Sequence, residues 1–171
     1  MNSAWKKTLN RELTRSSRSA APLAAMMADL DYFKRINDTH GHAAGDAVLC
    51  KVARRMTATT RVYDIVGRYG GEEFLILLPG CNSLQAAKMA ERLRLAVAST
   101  PMETPECKIG VTLSLGVAVT EVMRLPEAKA LLLEQTQPFI GPRPMGATWW
   151  KSLNPTFRPL PLFHPEFFSC E

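Results

Sequence analysis

Two short clusters of carboxylates are the residues of this chain best suited to chemistry. Asp29 and Asp31 follow the apolar run Leu23 to Met27, and Glu72 and Glu73 follow the pair Gly70-Gly71. Carboxylates gathered in one place repel one another unless a cation joins them. Hard oxygen donors, with no cysteine and only a pair of histidines nearby, favour Mg²⁺ over zinc. A Mg²⁺ ion held by few carboxylates completes its shell with substrate phosphates. Phosphoryl or nucleotidyl transfer is then the natural chemistry. Lys34 lies three residues beyond Asp31, within reach of a phosphate. Taken singly, each acid reads equally as a solvated turn residue; their grouping at two turns is the signal.

The elements that must position these acids follow from periodicity. Leu23 to Met27 reads as a buried strand ending in acids. Val48, Leu49, Val52, Ala53 and Met56 recur at helical spacing within 45–59. Ile65 to Tyr69 and Phe74 to Leu78 read as two strands joined at Gly70-Gly71, where glycine reaches positive φ without a Cβ clash. Ser83 is expected to cap a helix reaching about Ser99, with Leu84, Ala87, Ala90, Leu93 and Val97 on one side. Val111, Leu113, Leu115, Val117 and Val119 alternate with smaller residues, the period of a strand with one face in the core. A hairpin inside an otherwise alternating order predicts an α/β fold with a mixed sheet and helices packed on it. If the first strand neighbours the hairpin, the acids meet at one edge of that sheet.

Composition bounds the possibilities. The chain has 171 residues, 46% hydrophobic and 22% charged, which suits one globular domain and argues against disorder. It has no run of eighteen apolar residues and its first twenty lack the apolar core of a secretory signal, so no membrane segment is expected. Cys50, Cys81, Cys107 and Cys170 are scattered, which points away from a disulfide framework and towards a cytoplasmic setting. The net charge of +5 permits an anionic ligand without demanding nucleic acid, and no nucleic-acid partner is expected. Eight of the twelve prolines follow Thr120, whereas all five aspartates precede it. The division is therefore a basic, helical segment over 1–22, a catalytic core over 23–120, and a proline-rich divergent tail over 121–171 that is expected to be poorly ordered.

The run Asp29-x-Asp31-x-Phe33-Lys34-x-x-Asn37-Asp38-x-x-Gly41-His42-x-x-Gly45-Asp46, followed by Gly70-Gly71-Glu72-Glu73-Phe74, resembles the GGDEF domain of bacterial diguanylate cyclases, in the GGEEF variant. Ser114-Leu115-Gly116-Val117-Ala118 fits the same pattern, and the resemblance covers about residues 9–119. It implies a palm-like fold similar to nucleotidyl cyclases. It also implies the condensation of two GTP into cyclic di-GMP with release of pyrophosphate, each GTP on one domain of a homodimer. Asp29, Glu72 and the Leu30 carbonyl match the family's metal ligands, for Mg²⁺ with Mn²⁺ as the alternative. Glu73 matches the acid that helps deprotonate the attacking hydroxyl. Asn37 and Asp46 match the guanine-reading residues, with His42 a weaker match. Lys34 and the Tyr32 and Phe33 backbone match the phosphate-holding part, and Gly70 and Gly71 admit the nucleotide. On the residues alone, Asn37 and Asp38 are equally turn formers and Asp46 equally a helix cap.

Arg61-x-x-Asp64 matches the family's inhibitory site, where bound cyclic di-GMP restrains the enzyme; Arg68 is grouped with it, and Arg92 is a further contributor. An ordinary Arg–Asp surface pair is the plainer reading. The chain departs from the family after Val119. Where the family carries a helix reading A-D-x-A-L-Y-x-A-K and then G-R-N, prolines 138, 142 and 144 forbid one. Shifting the reading frame back one nucleotide across Glu134 to Lys151 permits Ala-Asp-Ala-Ala-Leu-Tyr-Arg-Ala-Lys followed by Gly-Arg-Asn, so a frameshift between about Val119 and Gln135 is expected. The fold would then be incomplete at its C-terminus. The alternatives to an active cyclase are an impaired module that binds GTP or cyclic di-GMP, and a non-functional fragment.

Overall fold

The computed structural model describes residues 3–105 and 107–120 and the backbone of 148–150. Strand β1 (Leu23–Leu30) is apolar at every position but Asp29, and it lies at the centre of a sheet. It pairs antiparallel with β3 (Glu73–Pro79) on one side and with β6 (Leu113–Thr120) on the other. β2 (Ile65–Gly70) forms the hairpin with β3, and β7 (Thr148–Trp150) adds a short parallel strand beside β6. The sheet is thus mixed, as the hairpin signal implies. The remainder of the expected tail lies outside the described residues.

Alternation along β1 divides the core. Ala24, Met26, Ala28 and Leu30 face one side, where they join Phe74, Ile76 and Leu78 and the apolar stripes of α2 (Phe33–Thr59) and α3 (Ser83–Ala98). Leu23 and Ala25 face the other side with Leu75, Leu77 and Ala118. That second face is closed by α1 (Ser3–Ser19), whose Leu9 and Leu13 are buried on it. A two-stranded ribbon, β4 (Met102–Glu103) with β5 (Lys108–Ile109), follows α3. Arg55 on α2 ties these elements together by donating to the carbonyls of Val97 and Thr100 at 2.8 and 2.6 Å.

Three local expectations are corrected. The helix read over 45–59 begins at Phe33 and is broken at Gly41, whose φ of 79° and ψ of 162° are not helical. The cap of α3 is Asn82 rather than Ser83: its side chain accepts the Gln85 N–H while the Gln85 side chain accepts the Asn82 N–H, a reciprocal capping box. Leu84 is 52% exposed. The buried stripe of α3 runs instead through Ala86, Met89, Ala90, Leu93 and Val97, which recur at the i, i+3, i+4, i+7 spacing of one helix face, and Leu84 falls outside it. Among the described residues no helix is long and apolar enough to cross a membrane.

Candidate functional site

The two acidic clusters meet. Asp29 lies directly opposite Glu73 in the β1–β3 ladder, and the Leu30 N–H donates to the Glu72 carbonyl at 3.4 Å. Antiparallel partners share a face, so Asp29 and Glu73 set two carboxylates side by side, an arrangement that like charges disfavour by about 0.2–1 kcal/mol. Among the described residues no group of three or more His, Cys, Asp or Glu side chains is arranged to hold a metal ion. The donors that do converge are Asp29, the Glu72 segment and the Leu30 backbone, all of them hard oxygens. This sparse set fits Mg²⁺, which keeps most of its shell for water and phosphate oxygens.

β1 ends in a sharp turn. Asp31 accepts hydrogen bonds from the Thr112 and Ser114 hydroxyls, each at 2.6 Å, and its N–H donates to the Thr112 carbonyl at 3.1 Å. Tyr32 follows in the left-handed region at φ 56°, a conformation that costs a non-glycine residue about 1–2 kcal/mol. From there α2 starts at Phe33 with no side-chain cap on its first N–H groups. The uncapped N–H groups at the start of the first segment of α2, before the break at Gly41, carry partial positive charge, and exposed Lys34 stands in that first turn.

Across the break at Gly41, Phe33 and Asn37 of the first segment of α2 lie against Gly45 of the second. Gly45 is buried in the second segment, and a Cβ there would lie 1.9 Å from Asn37 Oδ1 and 3.2 Å from Phe33 Cζ. Asn37 therefore lies across Gly45, next to Asp46. Neither residue is a turn former or a cap: Asn37 is helical before the break and Asp46 is inside the helix after it. His42 is exposed just beyond the break. A glycine inside a helical run, at position 45, is the signal in the sequence that something must approach closely there.

The hairpin tip is held from outside the motif. Gly71 takes φ 44° in the turn, and Arg68 Nε donates to its carbonyl at 2.7 Å. The Arg68 carbonyl accepts from Trp5 Nε1 at 2.9 Å, and the Trp5 ring covers Gly67, where a Cβ would come within 2.8 Å of it. Arg68 is thus engaged with the glycine turn rather than with Arg61 and Asp64. A Cβ at Gly70 would meet Glu73 Oε2 only at 3.9 Å, an ordinary contact, so the chain itself does not require glycine there.

Arg61 and Asp64 form their own tight loop. Asp64 Oδ2 accepts the Arg61 N–H at 2.8 Å, and the Arg61 guanidinium donates to the Tyr63 hydroxyl at 3.0 Å. Asp64 Oδ1 is buried without a hydrogen-bond partner. The plain reading of a side-chain ion pair does not hold, because the carboxylate is committed to the backbone of Arg61. Arg92 on α3 donates to the Thr59 carbonyl at the end of α2.

The chain matches the family described as diguanylate cyclase, GGDEF domain, over residues 2–134. It is 38% identical to the response regulator PleD of Caulobacter vibrioides over 114 residues, which cover 66% of this chain and 25% of that protein. It is 46% identical to diguanylate cyclase A of Treponema denticola over 96 residues, covering 56% of this chain and 26% of that protein. The chain thus spans about a quarter of the length of these relatives. Among solved structures, the GGDEF domain of YfiN from Pseudomonas aeruginosa superposes with a TM-score of 0.73 at 28% identity, covering 90% of this chain and 96% of that one. The active GGEEF domain of a diguanylate cyclase from Vibrio cholerae gives 0.64 at 26% identity, covering 82% and 89%.

Proposed function

This chain belongs to the GGDEF family of diguanylate cyclase domains, and from that premise we propose that it condenses two GTP into cyclic di-GMP, each nucleotide held by one copy of a homodimer. The observation that carries the reading is the pairing of Asp29 with Glu73 and of Leu30 with Glu72 at one end of the sheet. Asp29, Glu72 and the Leu30 carbonyl are the residues that would hold Mg²⁺. An ion held there would supply positive charge to offset that of the phosphates. The first-turn N–H groups of α2 and Lys34 bind the phosphate oxygens. Asp46 accepts from the N1 and N2 donors of guanine, and Asn37, seated over Gly45, both donates to and accepts from its edge. Glu73 takes the proton of the attacking 3′-hydroxyl; the oxygen bonds to the α-phosphorus of the facing nucleotide, and pyrophosphate leaves.

A second reading, binding without turnover, is favoured by one feature. Prolines at 138, 142 and 144 stand where the family carries the Lys and Arg for the outer phosphates. Charge stabilisation dominates phosphoryl transfer, so their loss slows the reaction more than it weakens binding. The buried, unpartnered Asp64 Oδ1 beside Arg61 supplies an acceptor for the guanine of a bound product.

Incubation with GTP and Mg²⁺, with the product resolved by chromatography, tests the proposal. Slow cyclic di-GMP formation is expected, lowered about 100-fold or more in Glu73→Gln and stopped by a chelator. Nucleotide binding with no product in the wild type selects the second reading. A wild-type chain that binds neither nucleotide ends both.

A further inference from the structure

We propose that Asp31 is a positioning residue that locks the turn between β1 and α2 and takes no part in holding the cation. This rests on the cyclase reading of the same site and adds to it. Sequence places Asp31 beside Asp29 as one member of an acidic pair, and the fold gives the two different hydrogen-bonding and ladder partners. β1 is flanked by β3 on one side and β6 on the other. The Leu30 N–H reaches Glu72 on the β3 side, whereas both Asp31 oxygens accept hydroxyls from the β6 side, Oδ2 from Thr112 and Oδ1 from Ser114, at 2.6 Å each. Its own N–H is tied to Thr112 as well. Both oxygens of Asp31 are thereby committed to the β6 side of β1, one of them to Ser114, the residue opposite Asp29 in that ladder.

What these bonds hold is the next residue. Tyr32 sits at φ 56°, ψ 28°, a conformation that relaxes unless its surroundings fix it. It is the hinge at which the Leu30 carbonyl and the uncapped N–H groups of α2 are brought to the same end of the sheet. Releasing Asp31 frees the hinge and separates the metal-binding and phosphate-binding ends of the site without removing any group that touches the ligand.

The full chain, a fluorescent GTP analogue and Mg²⁺ provide the test. Nucleotide affinity, the Mg²⁺ concentration at half-saturation and the melting temperature are read for Asp31→Ala, Asp31→Asn, Thr112→Val, Ser114→Ala and their combinations. Asp31→Ala and the double hydroxyl variant are each expected to weaken nucleotide binding about tenfold. The triple variant should be no weaker than Asp31→Ala alone, because all three act as one unit. Asp31→Asn should recover most of the affinity, since the hydroxyls can rotate to accept from its amide. A raised Mg²⁺ requirement in Asp31→Asn, with Thr112→Val and Ser114→Ala unaffected, identifies Asp31 as a direct ligand and overturns the proposal. A wild-type chain that binds no nucleotide sinks the cyclase reading, and the melting temperatures then decide here: non-additive losses support the lock, and additive losses overturn it.

Discussion

At the scale of single residues, the site depends on positions that carry no reactive group. Gly45 has no side chain, and the Asn37 amide occupies the place a Cβ there would take. Gly45→Ala puts a methyl group 1.9 Å from Asn37 Oδ1, so the amide must leave its seat. The atoms met are all side-chain atoms, of Asn37 and Phe33, so the amide shifts before the helix does, and overpacking of this kind costs about 1–3 kcal/mol. Discrimination of GTP over ATP is expected to fall about tenfold in this variant, as a buried recognition group lost from a base edge requires. Competition binding with the two nucleotides measures it. Unchanged selectivity in a folded Gly45→Ala protein rules out Asn37 as a guanine reader.

At the scale of elements, the signature hairpin leans on the first helix. α1 covers the sheet face opposite α2 and α3 through Leu9 and Leu13, and its Trp5 reaches the edge strand at Gly67 and Arg68. Arg68 in turn grips the Gly71 carbonyl. α1 therefore carries two kinds of contact, apolar burial under the sheet and a hydrogen-bonded chain to the glycine turn. Leu13 is 3% exposed, and Leu13→Ala is expected to destabilise the fold by about 2–5 kcal/mol. Denaturant unfolding reads this as a lowered midpoint at constant slope. A loss below 1 kcal/mol, about what an exposed site gives, means that α1 does not close this face in solution.

For the whole molecule, the tail is the open question of the gene rather than of the fold. The family match ends at residue 134, and the shifted frame that restores the family's next helix starts across Glu134. Both signs rest on the same family pattern, and the change they suggest lies between about Val119 and Gln135. Our reading is that a single-nucleotide change there exchanged the phosphate-binding Lys and Arg for the proline-rich sequence that follows. Resequencing the coding DNA from Gly116 onward is expected to place the A-L-Y-x-A-K reading in frame. An intact upstream frame with no such reading nearby removes the idea. With the frame restored, cyclic di-GMP formation should rise at least tenfold, since those two cations act on the developing phosphate charge.

The sequence by itself carried the family's motifs and the order of the main strands and helices, though not the β4–β5 ribbon. Motif spacing and period-two alternation are local properties, and both the acids at the two turns and the strand read from Val111 to Val119 are legible from a few neighbouring residues, although β6 starts at Leu113 and is buried on both faces. It misplaced the cap of α3 and the start of α2, where propensity is weak and a glycine break hides a continuous path. It left α1 without a surface to cover. Only the tertiary structure decided that Asp31 binds hydroxyls 81 and 83 residues away, that Arg68 belongs to the glycine turn, and that Asn37 rests on Gly45. Those contacts depend on strand order and register, which arise when distant segments bury their apolar faces together, and no local pattern of residues encodes them.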